Sequence, residues 1–181
     1  MWGALWRLPI PNVEKTFLWR VCREILPTKV CLYKRKVVGE SLCPICNLEE
    51  ETCFHILWDC HLARDVWSGS LKKFQKSSSC GSTFRPMVIE LFQTCDDAEL
   101  SLFAGIARWV WFRRNKVIHG GLFTHPNVLV QKAREALEDF LQQIIIPWNP
   151  TSTLKNLMGR VVGVACKVAL TTVYPKPLGR S

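Results

Sequence analysis

Residues 43–60 read CPICNLEEETCFHILWDC, and the reading of this stretch decides the fold. Four of its side chains carry metal-binding chemistry in the pattern Cys43-x2-Cys46-x8-His55-x4-Cys60. Two residues between cysteines let a turn bring both sulfurs to one ion, with backbone N–H groups directed at the thiolates. His55 and Cys60 then close a tetrahedral shell of three sulfurs and one imidazole, the donor set of a structural zinc site. Four protein ligands leave no open position for water or substrate, so the expected cofactor is one structural Zn2+.

The step from His55 to Cys60 constrains the backbone. On an ideal helix five residues rotate roughly 500°, about 140° off one face. Both groups cannot reach one ion from a straight helix. The spacing therefore predicts a mostly helical segment over 52–67 that ends or kinks just before Cys60. The competing reading is ordinary buried cysteines, since free cysteine is among the most buried residue types. Four donors at finger-like spacing argue against it. Two neighbours compete for the register: Cys53 lies two positions before His55, and His61 follows Cys60 directly. A thioredoxin-like redox pair at Cys43 and Cys46 lacks the βαβ context it requires. Three thiolates and a neutral imidazole leave a zinc centre at net −1. Arg64, one turn past Cys60, is the expected counter-charge.

Upstream, Val13, Phe17, Val21 and Ile25 recur at four-residue spacing. Asn12 reads as the N-cap of a helix over Val13–Leu26, ended by Pro27. Thr28 reads as the cap of a second helix through Val37, stopped by Gly39. Downstream, residues 71–84 are rich in Ser, Lys and Gly and read as a linker. Pro86 opens a helix to about Thr94. Asp96 or Asp97 caps a longer one to about Ile118, ended by Gly120 and Gly121. Pro126–Ile146 reads as a further amphipathic helix, ended by Pro147. Residues 151–172 fit helix or strand. The expected fold is mainly α. A small zinc-binding domain with a CxxC knuckle covers 1–70, a helical region covers 85–146, and 147–181 form a tail of undecided structure.

The chain has 181 residues and a net charge of +9, which favours an anionic partner. Residues 1–40 carry eight Lys or Arg against three Asp or Glu, whereas residues 41–70 carry one against five. The best phosphate-contact candidates are Lys29, Lys34, Arg35 and Lys36, joined by Arg20 and Arg23 beside the zinc stretch. A solvated helix face is the alternative for them. Arg113, Arg114 and Lys116 form a second basic cluster, readable as phosphate-binding or as charge complementing a helix C-terminus. Trp6, Trp19, Trp58 and Trp67 are able to stack on bases or to pack the small core around the metal, Trp58 being the foremost core candidate. His119 and His125 read as loop residues. Nine cysteines, an odd number, and the lack of a readable signal peptide predict an intracellular protein of nucleus or cytoplasm rather than a secreted one. No apolar stretch is long enough to span a bilayer.

Taken together, these residues resemble a known family. Leu5-Trp6, Pro11, Phe17-Leu18-Trp19-Arg20, Leu26-Pro27-Thr28, Cys43-Pro44-Ile45-Cys46, Glu51-Thr52, His55, Cys60 and Ala63-Arg64-Asp65-Val66-Trp67 are similar to the zinc-binding region of plant non-LTR retroelement reverse transcriptases. A weaker match at Trp111, Arg114-Asn115 and His119-Gly120 resembles the segment leading to a ribonuclease-H-like domain. The resemblance implies RNA or an RNA–DNA hybrid as partner, with a polymerase as the alternative protein partner. A relic element without activity is a third reading. Beyond Asp139 the chain has no carboxylate, so two-metal phosphodiester chemistry has no ligands there. The expectation is a non-catalytic module.

Overall fold

The computed structural model describes residues 1–75 and 83–145, with the side chains of Gln75 and Ile145 excepted. The expectations for 147–181 lie outside the described residues. The described elements are helical: α1 (Trp2–Arg7), α2 (Asn12–Cys22), α3 (Lys29–Lys34), a π turn (His55–Asp59), α4 (His61–Ser68), α5 (Lys72–Gln75), α6 (Phe84–Thr94), α7 (Asp97–Ile118) and α8 (Pro126–Ile145). The β pairing among them is a single antiparallel bridge between Leu42 and Glu50. The mainly α expectation is met. Met1–Gln143 forms one compact unit.

Helix boundaries in the first forty residues differ from the sequence reading, for local reasons. Pro11, not Asn12, is the N-cap of α2, because its extended backbone lets its carbonyl accept from Glu14 N–H at 3.0 Å. The helix stops at Cys22 rather than Leu26. Glu24 adopts a left-handed backbone with φ 53°, which no α-helix continues through. This turn returns Leu26 to the core while Ile25 and Val13 stay exposed, so the buried face of α2 is Phe17, Leu18, Val21 and Cys22. Thr28 caps α3 as expected, accepting from Cys31 N–H at 3.4 Å. That helix ends at Lys34, not Val37; Lys36 sits at φ 59°.

α7 is the axis of the core. Asp96 is its cap: Asp96 Oδ1 accepts from Glu99 N–H at 2.8 Å, and Glu99 Oε2 accepts from Asp96 N–H at 3.0 Å. This reciprocal box satisfies two donors that every helix start leaves open. Gly120, at φ 74°, ends it with its N–H on Val117 O. Between these ends, Leu100, Phe103, Ala104, Ile106, Ala107 and Val110 are buried. α8 packs onto α7 where Gly105 faces Ala133.

Phe103 is the hub of an aromatic cluster. Trp67 stacks on it at 5.1 Å between centroids, Phe74 meets it edge-on at 5.5 Å, and Phe84 lies at 6.0 Å. Trp58 lies 5.0 Å from Trp67, and Trp67 Nε1–H donates to Leu57 O at 2.7 Å. The interval 71–84, read as a linker, contains α5, and Phe74 within it is buried. Trp58 and Trp67 are therefore packing residues, as the core reading of the tryptophans expected. Trp19 is half-buried and Trp6 is exposed.

Candidate metal centre

The knuckle is built by backbone pairing around Cys43. Cys43 N–H donates to Glu49 O, Asn47 N–H to Cys43 O and Glu51 N–H to Ser41 O, each at 2.8 Å. Asn47 takes the left-handed conformation that the tight return requires, with φ 56°, a region Asn tolerates better than most residues. The N–H groups of Ile45 and Cys46 point at the Cys43 sulfur, and that of Leu62 at the Cys60 sulfur. The chain thus directs positive dipole ends at both thiols.

The second pair of donors comes from a backbone of altered pitch. Thr52 starts the segment, its Oγ1 accepting from His55 N–H at 3.0 Å. Cys60 N–H then donates to His55 O at 2.7 Å, an i→i+5 bond. Such a π turn winds wider than an α-helix, so five residues come nearer to one full turn. The chain breaks at Cys60 itself, with φ −54° and ψ 132°. The expected break is present. The widening before it is a second solution to the same angular mismatch.

Cys43, Cys46, His55 and Cys60 each bring a ligand atom within 4.8 Å of the other three. His55 Nε2 lies 3.3 Å from Cys46 Sγ. A tetrahedron with metal–sulfur bonds of about 2.3 Å has edges near 3.8 Å, so this donor set is compatible with one Zn2+. Three of the four donors are buried, Cys43 and Cys60 fully and His55 nearly so, while Cys46 is half-buried. Neither competing register is built. Cys53 is buried against Leu26 and Glu24, and His61 is exposed at the start of α4.

The imidazole is oriented from its far side. Glu49 Oε2 lies 3.1 Å from His55 Nδ1. A proton on Nδ1, donated to that carboxylate, leaves the Nε2 lone pair facing the sulfurs, which is the tautomer a metal needs. The donors also act on one another as bases. Hydrogen bonding to the Cys60 sulfur, helped by burial, pushes the Cys43 thiol up to about 12, and the same contact lowers Cys60. His55 rises to about 9, chiefly through its hydrogen bond with Cys43. A bound dication would replace these shared protons.

The surrounding arginines are arranged differently from the sequence reading. Arg64 is exposed and pairs with Asp59. The second basic cluster is not a surface: Arg113 and Arg114 are buried and only Lys116 is exposed. Arg114 grips Glu51, with Nε on Oε1 at 2.7 Å and Nη2 on Oε2 at 2.6 Å. Glu51 Oε2 also accepts the Lys29 N–H at 2.6 Å. This carboxylate therefore joins the knuckle, α3 and α7. Spacing alone held no signal for it. Glu51 lies in a run of three glutamates whose other two members are exposed.

The six basic residues singled out in the sequence are Arg20 and Arg23 at the end of α2, Lys29 and Lys34 in α3, and Arg35 and Lys36 just past it. Lys29 is half-buried and the other five are exposed. None of the six forms an ion pair among the described residues. Arg23 extends over the Trp19 ring, 6.0 Å from its centroid. No helix among the described residues is long and apolar enough to cross a membrane.

Residues 1–67 match the family described as zinc-binding in reverse transcriptase. Over 113 residues the chain is 27% identical to a protein of Arabidopsis thaliana named for ribonuclease H, a match covering 60% of this chain and 18% of that relative. The chain thus spans less than a fifth of that relative's length. No solved structure matches it.

Proposed function

We propose, from the match of residues 1–67 to the family described as zinc-binding in reverse transcriptase, that the chain is a non-catalytic module of retroelement origin that binds RNA or an RNA–DNA hybrid. The observation that carries this reading is the basic run at α3. Its cations have no carboxylate partners among the described residues. The helix start is pinned to the zinc knuckle by Glu51, through Lys29 N–H at 2.6 Å and the Val30 N–H on Glu51 O at 3.4 Å. Zinc, on this reading, has a structural task. Four protein ligands close its shell and fix the knuckle, Glu51 transmits that rigidity to α3, and Lys34, Arg35 and Lys36 contact phosphates. Arg20 and Arg23 extend the surface along α2. Binding of this kind is independent of base sequence and falls steeply with salt. RNA binding measured across a salt series tests it; an absent or salt-insensitive interaction overturns it.

A second reading is supported by the exposed apolar side chains. Trp6, Val13 and Ile25 are 48%, 50% and 45% exposed on and beside α1 and α2. They supply material for a protein-docking surface, with a polymerase as partner. Binding to such a partner that survives high salt would favour this reading over the first.

A further inference from the structure

Two adjacent arginines of α7 are buried, and only one is fully accounted for. Arg114 is held by Glu51 and also donates to Asn115 Oδ1 at 2.9 Å. Arg113 is 5% exposed. Its Nη2 donates to Leu62 O, and its guanidinium lies 4.9 Å from the centroid of the Phe123 ring. Its Nη1 is buried without a partner among the described residues. A buried donor on a cation is costly to leave open, and folded chains seldom do so.

The surroundings of Arg113 point to an acceptor for it. Arg113 and Cys60 line the same small cavity, of about 10 Å3, with Ile45, Ile56, Val110 and Val117 among the other walls. The space admits no more than one water. The negative groups close enough to favour the charged guanidinium are Cys60 and Asp65. Asp65 is exposed and screened by solvent, whereas Cys60 is buried. A centre of three thiolates, one imidazole and Zn2+ carries one net negative charge, and a buried charge requires a buried partner.

We propose that Arg113, not Arg64, is the counter-charge of the zinc centre, its Nη1 donating to the Cys60 thiolate through one water bridging the small cavity that both residues line. Arg113 is then a positioning residue reaching from α7 to a metal site otherwise built from residues 43–60. This rests on the four donors holding zinc, and the test separates the two claims. The full chain is loaded with Co2+ in place of zinc, and the thiolate-to-cobalt charge-transfer band is recorded for the native protein, Arg113→Met and Arg113→Lys. Loss of a donor raises the energy of the sulfur electrons, so the band is expected to move to longer wavelength in Arg113→Met. Zinc affinity by chelator competition should fall about tenfold or more. In the zinc-loaded variant Cys60 should be alkylated faster than in the native protein, with Cys43 and Cys46 little changed. Arg113→Lys keeps the charge and should leave the band nearer its native position; if Arg113→Met does not fold, Arg113→Gln removes the charge with a polar head in place and should show the same shift to longer wavelength. Native protein that binds no cobalt overturns the metal reading. Native binding, with a folded variant whose band and affinity are unchanged, overturns the role of Arg113 alone.

Discussion

Arg114 and Glu51 lie 63 positions apart and meet through two parallel hydrogen bonds of 2.7 and 2.6 Å. The Glu51 side chain is 0% exposed and that of Arg114 is 8% exposed. A bidentate pair removed from water is directional and strongly coupled, and removing one partner strands the other's charge. Glu51→Gln is expected to lower unfolding stability by about 3–5 kcal/mol. Replacing both residues by apolar ones of similar volume should cost less than the sum of the single changes. Chemical denaturation of the two singles and the double decides it. Additive losses would mean that the pair does not act as a unit.

The ligand register predicts a contrast between neighbours. Cys60→Ala should lose stoichiometric zinc and much of the cooperative melt, because metal binding is coupled to folding. His61→Ala should keep one equivalent, since His61 is exposed outside the centre. Cys53→Ser should also keep it, although a hydroxyl in that buried position will lower the melting temperature. Metal analysis of the purified variants is the check, and zinc loss in Cys53→Ser with zinc kept in Cys60→Ala would reverse the assignment.

Zinc affinity should fall as the pH is lowered. His55 is raised to about 9 and Cys43 to about 12 when protons are the only cations competing for them. Both groups therefore hold protons at neutral pH that zinc must displace. Each proton released makes the apparent affinity tenfold weaker per pH unit below the group's pKa. Competition titrations between about pH 6 and pH 9 should show affinity rising throughout that window. Proton release should also appear in calorimetry as heats that depend on the buffer's ionisation enthalpy. A pH-independent affinity would mean that the donors are already stripped of protons.

The basic run predicts a change in salt dependence. The triple change Lys34→Ala, Arg35→Ala and Lys36→Ala should weaken RNA binding at low salt. It should also reduce the slope of log K against log salt by up to about 0.7 for each single-strand phosphate left without its cation. Trp67 is buried, and Trp58, half-buried, packs against it, so neither makes a useful comparison. Trp19 is half-buried beside Arg23, and Trp19→Ala reports any stacking contribution. An unchanged slope in the triple variant would remove α3 from the interface.

The parts of this molecule legible in the sequence are those whose causes lie close together along the chain. The ligand set falls within residues 43–60, and its chemistry limits which atoms can share an ion. The Asp96–Glu99 box and the Gly120 terminus of α7 are local hydrogen-bond problems with local solutions. Even the misfit between His55 and Cys60 is readable as an angle, although the π turn that relieves it is not. Sequence and structure diverge where the deciding interaction is remote. Ile25 continues an apolar stripe, yet Glu24 turns the chain so that Leu26 is buried in its place. Arg113 and Arg114 read as phosphate-binding or as charge complementing a helix C-terminus, because nothing nearby in sequence pairs with them. Their partners, Leu62 and Glu51, lie 51 and 63 positions upstream.

From its sequence alone, this chain specifies a mainly helical protein and the four donors of a metal centre, because periodicity and ligand spacing are properties of short segments. Tertiary structure decided which charges reach solvent and which are buried. It drew α7, outside the matched residues 1–67, into the support of the knuckle. Desolvating a charge is so costly that an arginine's role depends on what packs around it, and that is set by residues dozens of positions away.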